Sequence, residues 1–174
     1  KYFAGGGYEQ RWNSISKGTR WHTGVCGGEI SLENNDQLNF LRPAGLYGYT
    51  FEETATKYHF SFAICNAVTD SEYGTPTRVK QASLSMGYRY LVKRCVTDGT
   101  KTRLLVSNVG IAPLYREAYF AIGDIRSETS LQGLLPSEEI WIEIATKPSP
   151  DGENIRIVSD YILPQQEIQF EANL

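Results

Sequence analysis

Apolar and polar residues alternate with a period of two along several short stretches of this chain, and turn-forming residues close each stretch. In residues 137–146, Ile140, Ile142 and Ile144 fall on one face while Glu139, Trp141 and Glu143 fall on the other, the signature of a half-buried strand. Residues 56–65 repeat the pattern, with Tyr58, Phe60, Phe62 and Ile64 opposite Lys57, His59 and Ser61, and residues 167–174 group Ile168, Phe170, Ala172 and Leu174. Asp98-Gly99 favours a tight hairpin turn because both residues tolerate positive φ, which pairs residues 83–97 with 101–109. Strands over 115–122 and 154–163 complete the series. Asp151-Gly152, after Pro148 and Pro150, marks a longer loop, and Pro164 bends the chain between two strand pieces, since proline lacks the N–H of a central ladder. Many short strands closed at short intervals predict an all-β fold, an antiparallel β-sandwich of jelly-roll or immunoglobulin-like type, over a parallel α/β sheet.

The first half is less regular. Residues 21–25, 29–32, 37–41 and 46–51 fit short strands, whereas Glu52-Glu53-Thr54-Ala55-Thr56-Lys57 equally fits the start of a helix with acids in its first turn, and both readings stay open. A chain of 174 residues suits one β-rich domain with one core. A sub-boundary is expected near residues 74–82, opening on the turn-like Gly74-Thr75-Pro76.

Composition removes several function classes. With 41% hydrophobic and 21% charged residues and a mean hydropathy of -0.35, the chain has the profile of a folded protein. A net charge of -3 and a pI near 5.5 supply no basic field for phosphates, and no short segment clusters Lys and Arg, so nucleic acid is not an expected partner. No apolar run reaches the roughly 20 residues of a membrane-spanning helix, so no membrane insertion is expected. The first residues lack the apolar core of a signal peptide, and the missing initiator Met points to processing or excision. Cys26, Cys65 and Cys95 form no C-x-x-C pair; they read as small apolar residues, with at least one free thiol.

Two motifs carry a family likeness. Met86-Gly87-Tyr88-Arg89-Tyr90-Leu91-Val92, followed by Leu105-Val106-Ser107-Asn108-Val109-Gly110-Ile111-Ala112-Pro113-Leu114-Tyr115, resembles the bacterial domain-of-unknown-function family 4832 over about residues 83–174. In that family a GYR strand precedes an N-x-G-x-A-P-x-Y turn inside a C-terminal β-sandwich. Asn108 and Gly110 suit a bulge or turn, and Pro113 stops the ladder before Tyr115. The resemblance implies a carbohydrate context after a glycoside-hydrolase-like (β/α) barrel, at a bacterial surface or outside the cell. Gly27-Gly28-Glu29 is similar to the G-G-E element near the last barrel strands of such proteins. A closed barrel takes roughly 250 residues, so the chain ahead of Ser83 is too short for an intact one.

Candidate chemistry is sparse. Glu29 stands beside paired glycines, and a glycosidase would need it as one of two carboxylates about 5–10 Å apart; its alternative reading is a solvated structural acid. His22 and His59 are the only histidines and have no two-ligand spacing, no G-x-S-x-G elbow or G-x-x-x-x-G-K motif occurs, and Gly5-Gly6-Gly7 reads as a flexible lead-in. No catalytic residue, metal site or cofactor is therefore assigned. Glu33, Asp36, Asp70, Glu72, Asp124 and Asp151 near turns leave room for a structural calcium, though without an EF-hand pattern.

Aromatic residues say more, because sugars present apolar C–H faces that stack on flat rings. Trp141 alternates with inward isoleucines and should point away from the core. Trp12 and Trp21 sit in polar company with Arg11 and Arg20, which can bond sugar hydroxyls or a carboxylate, while Tyr47 and Tyr49, flanking Gly48, would share one strand face. Core packing is the alternative for each ring. The leading expectation is a non-catalytic carbohydrate-binding accessory module, binding a polysaccharide or oligosaccharide beside a catalytic domain, extracellular or at the cell surface. Its ligand residues would be Trp12, Trp21, Trp141, Tyr47, Tyr49, Arg11, Arg20 and Glu29. The alternatives are a C-terminal fragment of a glycoside-hydrolase-like enzyme using Glu29, and a structural or assembly domain.

Overall fold

A computed structural model describes residues 8–32, 35–66, 71–150, 152, 154–163 and 165–172. Over these residues the chain is β-rich with a few short helices, and its several sheets do not close. The chain divides into two units, Lys1–Gly87 and Tyr88–Leu174.

The first unit mixes helices with a parallel strand pair. Helix α1 (Tyr8–Ser14) runs into 3-10 turns at Ile15–Gly18 and Arg20–His22, then come β1 (Gly27–Glu29), α2 (Asp36–Asn39), α3 (Phe51–Tyr58), β2 (Phe62–Ile64) and α4 (Pro76–Leu84). β1 and β2 pair in parallel, Gly27 opposite Phe62 and Glu29 opposite Ile64, so α3 lies in a β-α-β crossover. A Cβ at Gly27 would come within 2.1 Å of the Phe62 carbonyl oxygen, and only glycine permits this approach.

Several expected strands of this unit are corrected. Residues 21–25 and 37–41 contain a 3-10 turn and helix α2, and 46–51 is a turn leading into α3. Residues 56–65 are the end of a helix followed by a short strand. The helical period prevails there because Phe51, Thr54, Ala55 and Tyr58 share one buried stripe. Thr50 caps α3 reciprocally: its side chain accepts from Glu53 N, while the Glu53 carboxylate accepts from Thr50 N. His59, in the left-handed region at φ 53°, ends the helix, and the Phe40, Phe51, Tyr58 and Phe60 rings meet beneath it. Thr75 and Pro76 are no simple turn; Thr75 Oγ1 accepts from Arg78 N and Pro76 opens α4, for which proline's fixed φ is suited.

Among the described residues the second unit is built from strands and the turns between them. β3 (Tyr90–Thr97), β4 (Thr102–Asn108), β7 (Glu139–Ile144) and β9 (Glu171–Ala172) form a four-stranded sheet in the order β7-β4-β3-β9; β5 (Tyr119–Ile122), β6 (Ile125–Arg126) and β8 (Ile155–Val158) form a second, ordered β6-β5-β8. The expected hairpin is present as β3 and β4, although residues 83–84 belong to α4. All ladders are antiparallel except β3 with β9. Tyr90, Val92, Leu104, Val106, Ile142 and Ile144 of one sheet and Phe120, Ile122 and Ile157 of the other contribute to one buried cluster. Each such side chain stabilises the fold by about 1.5–3 kcal/mol on burial. The expectations for Pro164 and Leu174 lie outside the described residues.

The turn after β4 is organised by one fully buried amide. Asn108 Oδ1 accepts from Arg89 N and Gly110 N, and its Nδ2 donates to the Ala112 and Leu134 carbonyls. Four backbone groups, of which the Ala112 and Leu134 carbonyls take part in buried hydrogen bonds, are thus satisfied by a single side chain.

Candidate functional site

Residues facing each other across a ladder point to the same side of a sheet, so the outward residues of β3, β4 and β7 form a grid. One row is Arg94, Leu105 and Trp141; the next is Val96, Arg103 and Glu143; Ser107 and Glu139 lie on the other side of Trp141. The register slips between Val92 and Arg94, and both Lys93 and Arg94 are exposed, where strict alternation would turn one of them inward.

Trp141 is 41% exposed, as its place between Ile140 and Ile142 predicts. The Arg103 guanidinium lies 5.1 Å from the centre of its ring, within cation-π range. Lys101 Nζ pairs with Glu143 at 2.9 Å, and Lys93 pairs with Glu139. These ion pairs are about half exposed and are worth roughly 0.2–1 kcal/mol each, so they orient side chains more than they stabilise the sheet. Arg94 is exposed, and among the described residues no ion pair or hydrogen bond engages its guanidinium. The surface therefore offers one flat apolar ring, half-buried Leu105 beside it, and donors and acceptors around both. Cys95 does not open onto it: it belongs to the inward set, half-buried against the core, and burial pushes its thiol pKa up.

The other sequence-predicted residues all lie in the first unit. Trp12, half-buried on α1, meets Tyr58 edge-on at 6.4 Å. Trp21, also half-buried, stacks on His59 at 3.5 Å between ring centres and meets His22 edge-on at 4.2 Å. Both indoles are thus engaged by rings of their own unit. Arg11 and Arg20 are exposed on α1 and on the 3-10 turn after it.

Tyr47 and Tyr49 are exposed, but they do not share a strand face. Leu46 and Tyr49 exchange both backbone hydrogen bonds around Tyr47-Gly48, whose φ values of 53° and 84° make a tight turn. The Tyr47 hydroxyl donates to the buried carboxylate of Asp36 at 2.8 Å, and Lys57 Nζ sits 5.2 Å from the Tyr49 ring centre.

Glu29 is exposed at the C-terminal end of β1, opposite Ile64. Phe62, Ile64 and Glu29 occupy one face of the parallel pair, and Phe62 and Ile64 are both exposed. Among the described residues, no three His, Cys, Asp or Glu side chains approach one another closely enough to hold a metal. Of the acids considered for calcium, Asp36 is committed to Tyr47, and Glu33, Asp70 and Asp151 lie outside the described residues. Burial pushes the Cys26 thiol up to about 11, which keeps it protonated and inert at neutral pH.

A cleft beside β8 is lined by Ile155, Ile157, Ile162, Leu163, Ile168 and Phe170, and its charged lining is confined to Arg156 and Glu167. Arg156 is already tied to the Gly123 carbonyl and to Asp124. Among the described residues no helix is long and apolar enough to cross a membrane.

The grid around Trp141 was legible only in part. Alternation in residues 139–144 exposes the indole, but Arg94, Leu105 and Arg103 join it through registers between distant segments and through a slip in β3 that no local pattern announces. No family model matches the chain, and neither does any curated protein or solved structure.

Proposed function

We propose that this protein is a non-catalytic carbohydrate-binding module and that it binds sugar on the outer face of the β7-β4-β3-β9 sheet. The single observation that carries this reading is the exposed Trp141 indole, flanked by Leu105 and ringed by Arg94, Arg103, Glu139 and Glu143. A pyranose ring laid on that indole buries its apolar face while its hydroxyls meet charged donors and acceptors. In this reading the two sheets sharing one core are the layers of a sandwich, the scaffold on which such a face is held rigid. The likeness of Gly87-Tyr88-Arg89 and Asn108-Val109-Gly110-Ile111-Ala112-Pro113-Leu114-Tyr115 to family 4832 supports the carbohydrate context, a neighbouring catalytic domain and an extracellular or surface location. Trp12 and Trp21 drop to structural roles, since rings of their own unit occupy them.

A glycan array followed by calorimetry on Trp141→Ala tests the proposal. Binding that falls at least tenfold, with an unchanged melting temperature, supports it. A wild-type array without a hit overturns it and favours a structural or assembly role.

One observation favours a second reading. A parallel strand pair joined by a helix ordinarily belongs to a larger sheet covered on both faces, and here Phe62 and Ile64 are bare on the face that carries Glu29. Catalytic residues of (β/α) barrels sit at the C-terminal ends of strands, which is where Glu29 stands. In this reading Glu29 is one carboxylate of a glycosidase pair. Loss of glycan hydrolysis by the full-length protein in Glu29→Gln supports it, and hydrolysis that survives the change ends it.

A further inference from the structure

We infer that the outer face of the β7-β4-β3-β9 sheet selects acidic saccharides, whose sugar rings carry uronate carboxylates, over neutral ones. This rests on the glycan reading above and names its ligand class. Five cations, Arg89, Lys93, Arg94, Lys101 and Arg103, share the face with three acids, Glu139, Glu143 and Glu171, on a chain whose net charge is -3. Each acid is matched by a cation, Glu139 by Lys93, Glu143 by Lys101 and Glu171 by Arg89. Two guanidiniums are left over. Arg103 lies against the indole, and Arg94 stands in register with Leu105 and Trp141, in the row where a stacked sugar would extend across the sheet.

The slip in β3 makes this surplus. An unbroken strand that buries Val92 would also turn Arg94 inward; the irregularity brings Arg94 outward beside Lys93. With strands about 4.8 Å apart, Arg94 sits two strands, about 10 Å, from Trp141 at the Cα level. Its long side chain can therefore reach a sugar seated on the ring. A guanidinium binds a carboxylate through two parallel N–H bonds, so the preferred sugar substituent is a carboxylate in place of a hydroxymethyl group. Arg103 lies over one face of the indole, so the sugar takes the opposite face, with a second positive charge across the ring from it.

Calorimetry with oligomers of galacturonate, mannuronate and guluronate, each beside its methyl ester, tests the inference on the wild type, Arg94→Gln and Trp141→Ala. The wild type is expected to bind at least one free acid about tenfold more tightly than its ester, with affinity falling as salt rises. Arg94→Gln should weaken acid binding far more than ester binding and so shrink that preference, whereas Trp141→Ala should weaken acid and ester alike. Both variants should melt within about 2 °C of the wild type, because both side chains are exposed. Esters or neutral array glycans bound as tightly as the acids, and lost in Trp141→Ala, overturn charge selection and leave the glycan reading standing. No binding to any acid, ester or array glycan overturns both.

Discussion

The two units solve the burial of their strands in opposite ways. In Tyr88–Leu174 the antiparallel ladders cover one face with a shared cluster of Tyr90, Leu104, Val106, Phe120, Ile142 and Ile144, and leave the other face to water. In Lys1–Gly87 the parallel pair is short, and Phe62 and Ile64 remain exposed. Its order comes from capped helices and polar ties. Gln37 donates to the Ile30 carbonyl, the Tyr47 hydroxyl bonds Asp36, and Arg78 grips the Glu52 carboxylate with two nitrogens. An antiparallel sheet tolerates one wet face, while a parallel one normally needs both covered. The second unit's wet face is thus ordinary for an antiparallel sheet, whereas the first unit's parallel pair is bare where such pairs are normally covered.

The largest effect should come from the buried amide of the second unit. Asn108→Ala strands Arg89 N, Gly110 N and the Ala112 and Leu134 carbonyls, and should destabilise that unit by about 4 kcal/mol, since each orphaned group costs about 1–3 kcal/mol when water cannot replace its partner. Urea denaturation read through amide exchange on β4 checks this; a loss below 1 kcal/mol would mean water enters and the turn is not built on Asn108.

Leu104→Ala comes next, at about 3 kcal/mol, because the side chain is fully buried between neighbours that can relax only partly. The same exchange experiment should show β3, β4 and β7 opening together, and separate opening of these strands would break the picture of one shared core.

In the first unit Thr50→Ala should cost about 1 kcal/mol, the usual worth of an N-cap, and Thr50→Ser should restore most of it. Exchange at the Glu53 amide is the readout, and an unchanged rate in Thr50→Ala would remove the cap from the account of what orders this unit.

The smallest effect is acid sensitivity of the β3-β4 turn. Hydrogen bonds from Thr100 N, the Thr100 hydroxyl and Lys101 N hold the Asp98 carboxyl down to about 2, from an ordinary value of 3.8. A lowered folded-state value favours the ionised form, so the turn keeps its full stability above about pH 4 and loses it as pH falls through about 2. Asp98→Asn retains the accepting oxygen and should remove the dependence, as followed by amide exchange at Thr100 between pH 5 and 2. An identical acid loss in the variant would assign the effect to other groups.

Local chemistry made part of this legible. The alternation at residues 139–144 placed Ile142 and Ile144 inside and Trp141 outside, and Asp98-Gly99 marked the hairpin turn. The same period of two misled at residues 56–65, where Tyr58 satisfies two patterns at once: it alternates with Phe60 and Phe62, and it also closes a helical stripe with Phe51, Thr54 and Ala55. Thr75-Pro76 was similarly two-valued, a turn by composition and a helix start by capping geometry. Segments that short carry too few residues to decide between periods, and the packing of neighbours decides for them.

By itself the amino-acid order determined which residues alternate, where the chain turns, and that one indole would face water, because these depend only on near neighbours along the backbone. Tertiary structure decided what surrounds that indole. The slip at Lys93, the pairing of β4 with β7, and the capture of Trp12 and Trp21 by Tyr58 and His59 all join segments distant in sequence, through hydrogen-bond registers and ring contacts that exist only once the strands and helices have met.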